Sequence, residues 1–137
     1  MKAFIDTSSL AKKYIIEDGS ETFDQFLLTV SEITVSPIYV LEVHSTIERR
    51  LKEKNLTLQE AQWIRAEVKK DLHFFSQVIW NSNLEQKALN LIAKYQLKTL
   101  DSIQLAAGCL SKADIFVTSD QKLFLIANRE IKKVKLI

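Results

Sequence analysis

Apolar residues occur along this chain in two styles, short continuous runs and longer stripes at helical spacing. The runs Ala3-Phe4-Ile5, Ile33-Thr34-Val35 and Ile115-Phe116-Val117 are brief and rich in β-branched or aromatic residues. They read as buried strands. Between them Phe23, Phe26, Leu27 and Val30 recur with helical period. So do Ala61, Ile64, Val68, Leu72 and Phe75, and again Leu84, Ala88, Leu91, Ile92 and Tyr95. The pattern predicts strands over 2–6, 33–36, 78–80, 115–118 and 132–136. It predicts helices over 8–17, across the Phe23 stripe, and over 37–54, 57–75, 82–95, 99–111 and 121–127. Ser36 before Pro37 reads as a helix start, and Thr57-Leu58-Gln59-Glu60 and Ser82-Asn83-Leu84-Glu85 read as capping boxes. The helices on either side of Asn55 form a predicted hairpin. Strands alternating with helices predict an α/β fold with a mainly parallel sheet.

Composition narrows this picture. The 137 residues suit one domain with a real core, and 47% hydrophobic with 26% charged residues describes a soluble globular protein. A lone Cys109 allows no internal disulfide and fits a reducing, cytoplasmic setting. No apolar run approaches the roughly 20 residues a membrane span needs, and an acid already stands at position 6, so neither a membrane segment nor a signal peptide is expected. The net charge of +2 does not by itself indicate nucleic-acid binding; local clustering must decide.

Most of the 17 acids read as solvated charge at helix ends or on polar faces, Glu17, Asp18, Glu48 and Glu60 among them. Asp6, Glu42, Asp101 and Asp120 differ, because apolar or small residues surround them. Asp6 and Asp120 each end an apolar strand, where open parallel sheets bind their ligands. Glu42 lies early in the helix after Pro37, with Ser45 and Arg49 on its face, and Asp101 lies in the first turn of an apolar helix. Each has a bland alternative. Asp6 serves as a helix cap, Glu42 as surface charge, Asp101 as a charge on the helix dipole. Taken together, acids at the carboxyl edge of one sheet would repel each other unless a cation neutralised them. All-oxygen donors suit Mg²⁺ or Mn²⁺. A cysteine–zinc site is excluded, and His44 and His73 have no partner at ligand spacing.

The stretches "FIDTSSLAKKY", "SPIYVLEVHSTI", "LKTLDSIQLAAG" and "IFVTSDQKL", in this order, resemble the PIN-domain family, in particular the VapC-type toxins of toxin–antitoxin pairs. The resemblance covers essentially the whole chain. It implies a three-layer α/β fold, a central mainly parallel sheet of four to five strands with helices on both faces. It implies a metal-dependent endoribonuclease using Mg²⁺ or Mn²⁺ held by Asp6, Glu42, Asp101 and Asp120, with Thr7, Ser8 and Thr118 supporting them. It also implies an RNA substrate, a cognate antitoxin protein and a homodimer. Arg49, Lys12 and Lys13 are candidates for the RNA backbone, with Arg49 first because it shares the Glu42 face. A phosphoacceptor receiver would need paired acids after the first strand, and a haloacid-dehalogenase-type phosphatase would need an Asp where Ser8 stands. The alternative reading is a catalytically silent PIN-like module that binds RNA or protein.

Overall fold

The computed structural model describes residues 1–137. In chain order the elements are β1 (Lys2–Ile5), α1 (Thr7–Leu10), a 3-10 turn (Ala11–Lys13), α2 (Ser20–Leu27), β2 (Glu32–Val35), α3 (Tyr39–Lys52) and α4 (Leu58–Asp71). β3 (Ser76–Gln77), α5 (Ser82–Tyr95), α6 (Thr99–Leu110), β4 (Ile115–Thr118), α7 (Gln121–Glu130) and β5 (Val134–Leu136) follow. All neighbouring strands pair in parallel in the order β3-β2-β1-β4-β5. The chain builds outward from β1 through β2 to β3, then crosses back to lay β4 on β1's other side. The ends of β1 and β4 therefore flank the point where strand order reverses, where a crevice opens in sheets of this kind.

The period of two along the central strands divides the core. Ala3, Ile5, Ile115 and Val117 face one apolar layer with Phe23, Tyr39, Ile47 and Ile64, which belong to α2, α3 and α4. Phe4 and Phe116 face the other layer with Leu84, Leu91, Leu105 and Leu123, from α5, α6 and α7. Helices thus cover both faces, as expected. On the second face the rings of Phe4 and Phe116 stack with centroids 5.4 Å apart. Gly108 lets α6 rest on them, because a Cβ there would lie 2.4 Å from the Phe116 ring. No helix is long and apolar enough to cross a membrane.

Several boundaries differ from the pattern-based expectation. The first helix ends after one α-helical turn and a 3-10 turn instead of reaching Glu17. Tyr14 is fixed there by long-range partners, its hydroxyl donating to Asp71 Oδ2 at 2.6 Å and lying 2.9 Å from the Tyr39 hydroxyl. Pro37 precedes α3 rather than opening it, since the Ser36 hydroxyl accepts from the Ile38 amide at 3.3 Å and closes a turn first. The third strand is Ser76–Gln77, two residues earlier than the apolar run Val78-Ile79-Trp80. Val78 still donates to the Val35 carbonyl, after which Ile79 and Trp80 are exposed. The capping box at Thr57 forms with both of its bonds, whereas α5 is capped by Asn81 and not by Ser82. The cap position of α6 is Lys98, with no side-chain bond.

Candidate active site at the carboxyl ends of the central strands

Asp6 follows β1 directly, and its amide donates to the Val117 carbonyl of β4 at 2.9 Å. Its carbonyl accepts the first amide bonds of α1, but its side chain does not cap that helix. The carboxylate turns instead toward β4. Ser8 Oγ donates to Asp6 Oδ2 at 2.6 Å, and Thr118 Oγ1 donates to the same oxygen at 2.8 Å. Asp6 is 5% exposed, and no cation pairs with it. Burial pushes its carboxyl up to about 6; the hydroxyls of Ser8 and Thr118 oppose the rise, and the charges of Glu42 and Asp101 add to it.

Glu42 reaches the same crevice from the first turn of α3. Thr7 Oγ1 donates to Glu42 Oε1 at 3.0 Å. Gln104 Nε2 donates to Thr7 Oγ1 at 3.0 Å and also to Glu42 Oε1. Gln104 is 2% exposed, and its own Oε1 finds no donor. Its role was not anticipated from sequence. The available signal was a lone amide three residues after Asp101, on the same face of a helix otherwise made of apolar and small residues.

Asp101 lies half-buried in the first turn of α6. Burial first and then the charge of Asp120 raise its carboxyl, while Lys98 and Lys122 oppose the rise. Those two lysines are further cations near the acids that the sequence reading did not name. Asp120 caps α7, its Oδ1 accepting from the Leu123 amide at 2.9 Å. The Asp120 amide donates to Thr118 Oγ1 at 3.0 Å, so one threonine hydroxyl ties both strand-end acids together. Ser9 and Ser119, whose hydroxyls lie 2.8 Å apart, add a second tie between α1 and the end of β4.

The four acids therefore share one end of the sheet, coupled in sequence Glu42 to Asp6 to Asp101 to Asp120 by mutual charge. Their donors are all oxygen, and the cluster's uncompensated charge suits a hard divalent cation. As the side chains stand, no group of three or more acids, imidazoles or thiols is placed to hold a metal ion. Each of the four carboxylates keeps at least one oxygen outside the hydrogen-bond network just described. His44 and Cys109 take no part; the His44 ring contacts the Val40 carbonyl on α3.

A cavity of about 610 Å³ opens beside Thr7, Ser8 and Glu42 and continues along α3 to Arg49 and Arg50, with Lys12 and Glu17 on its far wall. Arg49 lines it and is exposed. Lys12 lines it too, but its amino group is held by Glu17 at 3.2 Å and by the Asp18 carbonyl at 2.7 Å. Lys13 is not part of the cavity wall and pairs with Asp71. Glu17, read from sequence as solvated, is instead a partly buried partner of two cations.

A family model described as PIN domain matches residues 3–128. Among solved structures the fold is similar to a toxin–antitoxin complex from Klebsiella pneumoniae, with 20% identity and a TM-score of 0.68 over 97% of this chain and 95% of that one. It is similar to VapBC2 from Rickettsia felis bound to a DNA fragment from their promoter, with 12% identity and a TM-score of 0.69 over 100% and 99% of the two chains. FitAcB from Neisseria gonorrhoeae matches with 11% identity and a TM-score of 0.69 over 92% and 93%. No curated protein sequence matches significantly.

Proposed function

The chain belongs to the PIN-domain family, and we propose that it is a metal-dependent endoribonuclease, the toxin of a toxin–antitoxin pair. The observation that carries this reading is Asp6: a buried carboxylate without a counter-cation, flanked by the charges of Glu42 and Asp101 at the point where strand order reverses. Asp6, Glu42, Asp101 and Asp120 would hold Mg²⁺ or Mn²⁺. The bound ion would supply an acidified water and offset charge developing on the scissile phosphate.

The chain's own groups set up that chemistry. Ser8 and Thr118 orient Asp6, and Thr7 with Gln104 orients Glu42. The hydroxyls of Thr7, Ser8 and Ser9 are occupied in this network, so none of them is required as a nucleophile. The cavity leading from Glu42 to Arg49 gives a single strand of RNA a path along α3; of the four acids Glu42 lines it, and Asp6, Asp101 and Asp120 do not. One structural neighbour is a toxin–antitoxin complex from Klebsiella pneumoniae, which supports a cognate antitoxin as the protein partner. Exposed Leu58, Trp63, Phe74 and Trp80 give the helical hairpin and the β3 side apolar surface for a homodimer.

The test is cleavage of single-stranded and structured RNA by antitoxin-free protein in Mn²⁺, Mg²⁺ or EDTA, beside Asp101→Asn. Cutting is expected with either ion and is abolished by EDTA and by the substitution. Folded protein that binds Mn²⁺ yet cuts no RNA would leave the silent binding module.

A further inference from the structure

The far end of the cavity is built from cations, and an acid of the chain already sits among them. Glu17 Oε1 takes the Lys12 amino group at 3.2 Å, and its Oε2 takes the Arg50 guanidinium at 2.5 Å. Arg50 Nε is buried and has no acceptor, and Arg49 beside it is in no ion pair. Arg49 lies seven residues beyond Glu42 on α3, about 10 Å along the axis at 1.5 Å per residue. The cationic end thus lies along the same wall as Glu42.

A carboxylate that offers two oxygens to two cations has the charge arrangement of a phosphodiester. Glu17 lies on the connection between the 3-10 turn and α2, outside any helix or strand. Its side chain can rotate away without breaking a main-chain ladder. Lys12 would stay in place, because the Asp18 carbonyl also holds it. The Lys12 side chain is 8% exposed and that of Glu17 27%, so the pair is largely buried, and the fold tolerates the exchange because the incoming phosphate replaces the departing anion.

We propose that Lys12, Arg49 and Arg50 form a phosphate subsite for the RNA backbone and that Glu17 occupies it until a substrate phosphate displaces it. This rests on the RNA reading above and assigns Glu17 as an internal competitor that weakens RNA binding.

The test is binding of a fluorescein-labelled single-stranded oligoribonucleotide in EDTA, followed by anisotropy over a range of salt concentrations, for wild type, Glu17→Gln and Glu48→Gln. Glu48 pairs with Arg65 outside the cavity, so its substitution makes the same charge change and frees an arginine elsewhere. Glu17→Gln is expected to bind about 3- to 10-fold tighter near 0.1 M salt, with a log–log salt slope steeper by about 0.7 for each cation freed. Glu48→Gln is expected to bind like wild type, and adding Arg50→Gln to Glu17→Gln should remove much of the gain. Equal or weaker binding by Glu17→Gln, equal tightening by Glu48→Gln, or a gain that survives loss of Arg50 would overturn the inference. Because nothing is cut in EDTA, the result is independent of the nuclease reading. Tighter binding without any metal-dependent cleavage would sink that reading alone, and cleavage with unchanged binding would sink this one alone.

Discussion

The carboxyl ends of β1 and β4 carry a similar short pattern, an apolar run, small hydroxyl residues and an acid, but the two acids end up in different environments. Asp120 uses one oxygen to cap α7 and stays partly open to solvent. Asp6 has a helix starting just after it, yet its side chain leaves the cap position free and is buried between Ser8 and Thr118. The difference follows from distance beyond the strand. Both strands have a neighbour on each side, but Asp6 follows β1 directly and its amide still bonds to β4, whereas Asp120 lies two residues past β4 at the exposed start of α7. One acid contributes to local stability, and the other opposes it. A strand-end acid that fails to cap its helix and is buried without a cation is a stronger mark of function than the motif itself.

Breaking the Asp6 side of this contrast should give the largest effect. Asp6→Asn is expected to lower RNA cleavage by about 100-fold or more, since even the partners that orient metal-binding carboxylates commonly matter 10–100-fold. The same change should stabilise the metal-free fold. The carboxyl is raised from 3.8 to about 6, so the protonated form fits the folded state better. Asp6's favourable contribution is present below about pH 4 and is lost as pH rises through 6. Above that range the deficit is on the order of a few kcal/mol. Urea unfolding in EDTA from pH 4 to 8 should show wild type losing stability over that window and Asp6→Asn losing less, the remainder belonging to Asp101, which is raised as well. A destabilised Asp6→Asn at pH 8 would mean that the carboxylate is structural.

Gln104 sharpens the contrast, because it serves the buried end and has no counterpart at Asp120. Gln104→Leu removes both amide donors, but Thr7 and Glu42 keep their mutual bond and the unmatched Oε1 disappears with the amide. Stability should therefore change by no more than about 1 kcal/mol. Activity should fall about 10- to 100-fold, mainly in kcat, as Glu42 loses its fixed orientation. Steady-state kinetics beside thermal melting separates the two effects. A large stability loss with kcat intact would make Gln104 a core residue only.

Much of this arrangement was readable from residue pattern. Central strands, amphipathic stripes and the Thr57 capping box depend on residues close in sequence, and they formed with small boundary shifts. What was missed depends on distant partners. Gln104 contacts Thr7 across 97 positions, and Tyr14 reaches Asp71 across 57. No local signal marks where such side chains meet. β3 is short because pairing with Thr34 and Val35 decides it, whereas the apolar run just beyond it is exposed. Lys12 and Lys13 look alike as adjacent cations, yet one lines the cavity wall and the other closes a pair with Asp71. The four acids were legible one by one, whereas the opposite roles of Asp6 and Asp120 depend on their partners: Thr118, 112 positions away, holds Asp6, while Asp120 caps the helix that follows it.

The smallest expected effect tests the Asp120 side. Asp120→Ala removes the side-chain acceptor of the Leu123 amide, and loss of such a cap costs about 1 kcal/mol. Asp120→Asn keeps a good capping oxygen and should unfold within a few tenths of a kcal/mol of wild type. Both lose the charge that Asp101 feels, so both should weaken Mn²⁺ binding measured by calorimetry. The pair therefore separates cap from charge: stability should follow the capping oxygen, and metal affinity should follow the carboxylate. If Asp120→Ala proved as stable as Asp120→Asn, the cap would contribute nothing. If Asp120→Asn bound Mn²⁺ as tightly as wild type, Asp120 would be only a helix cap, and the metal-binding set would reduce to the acids around Asp6.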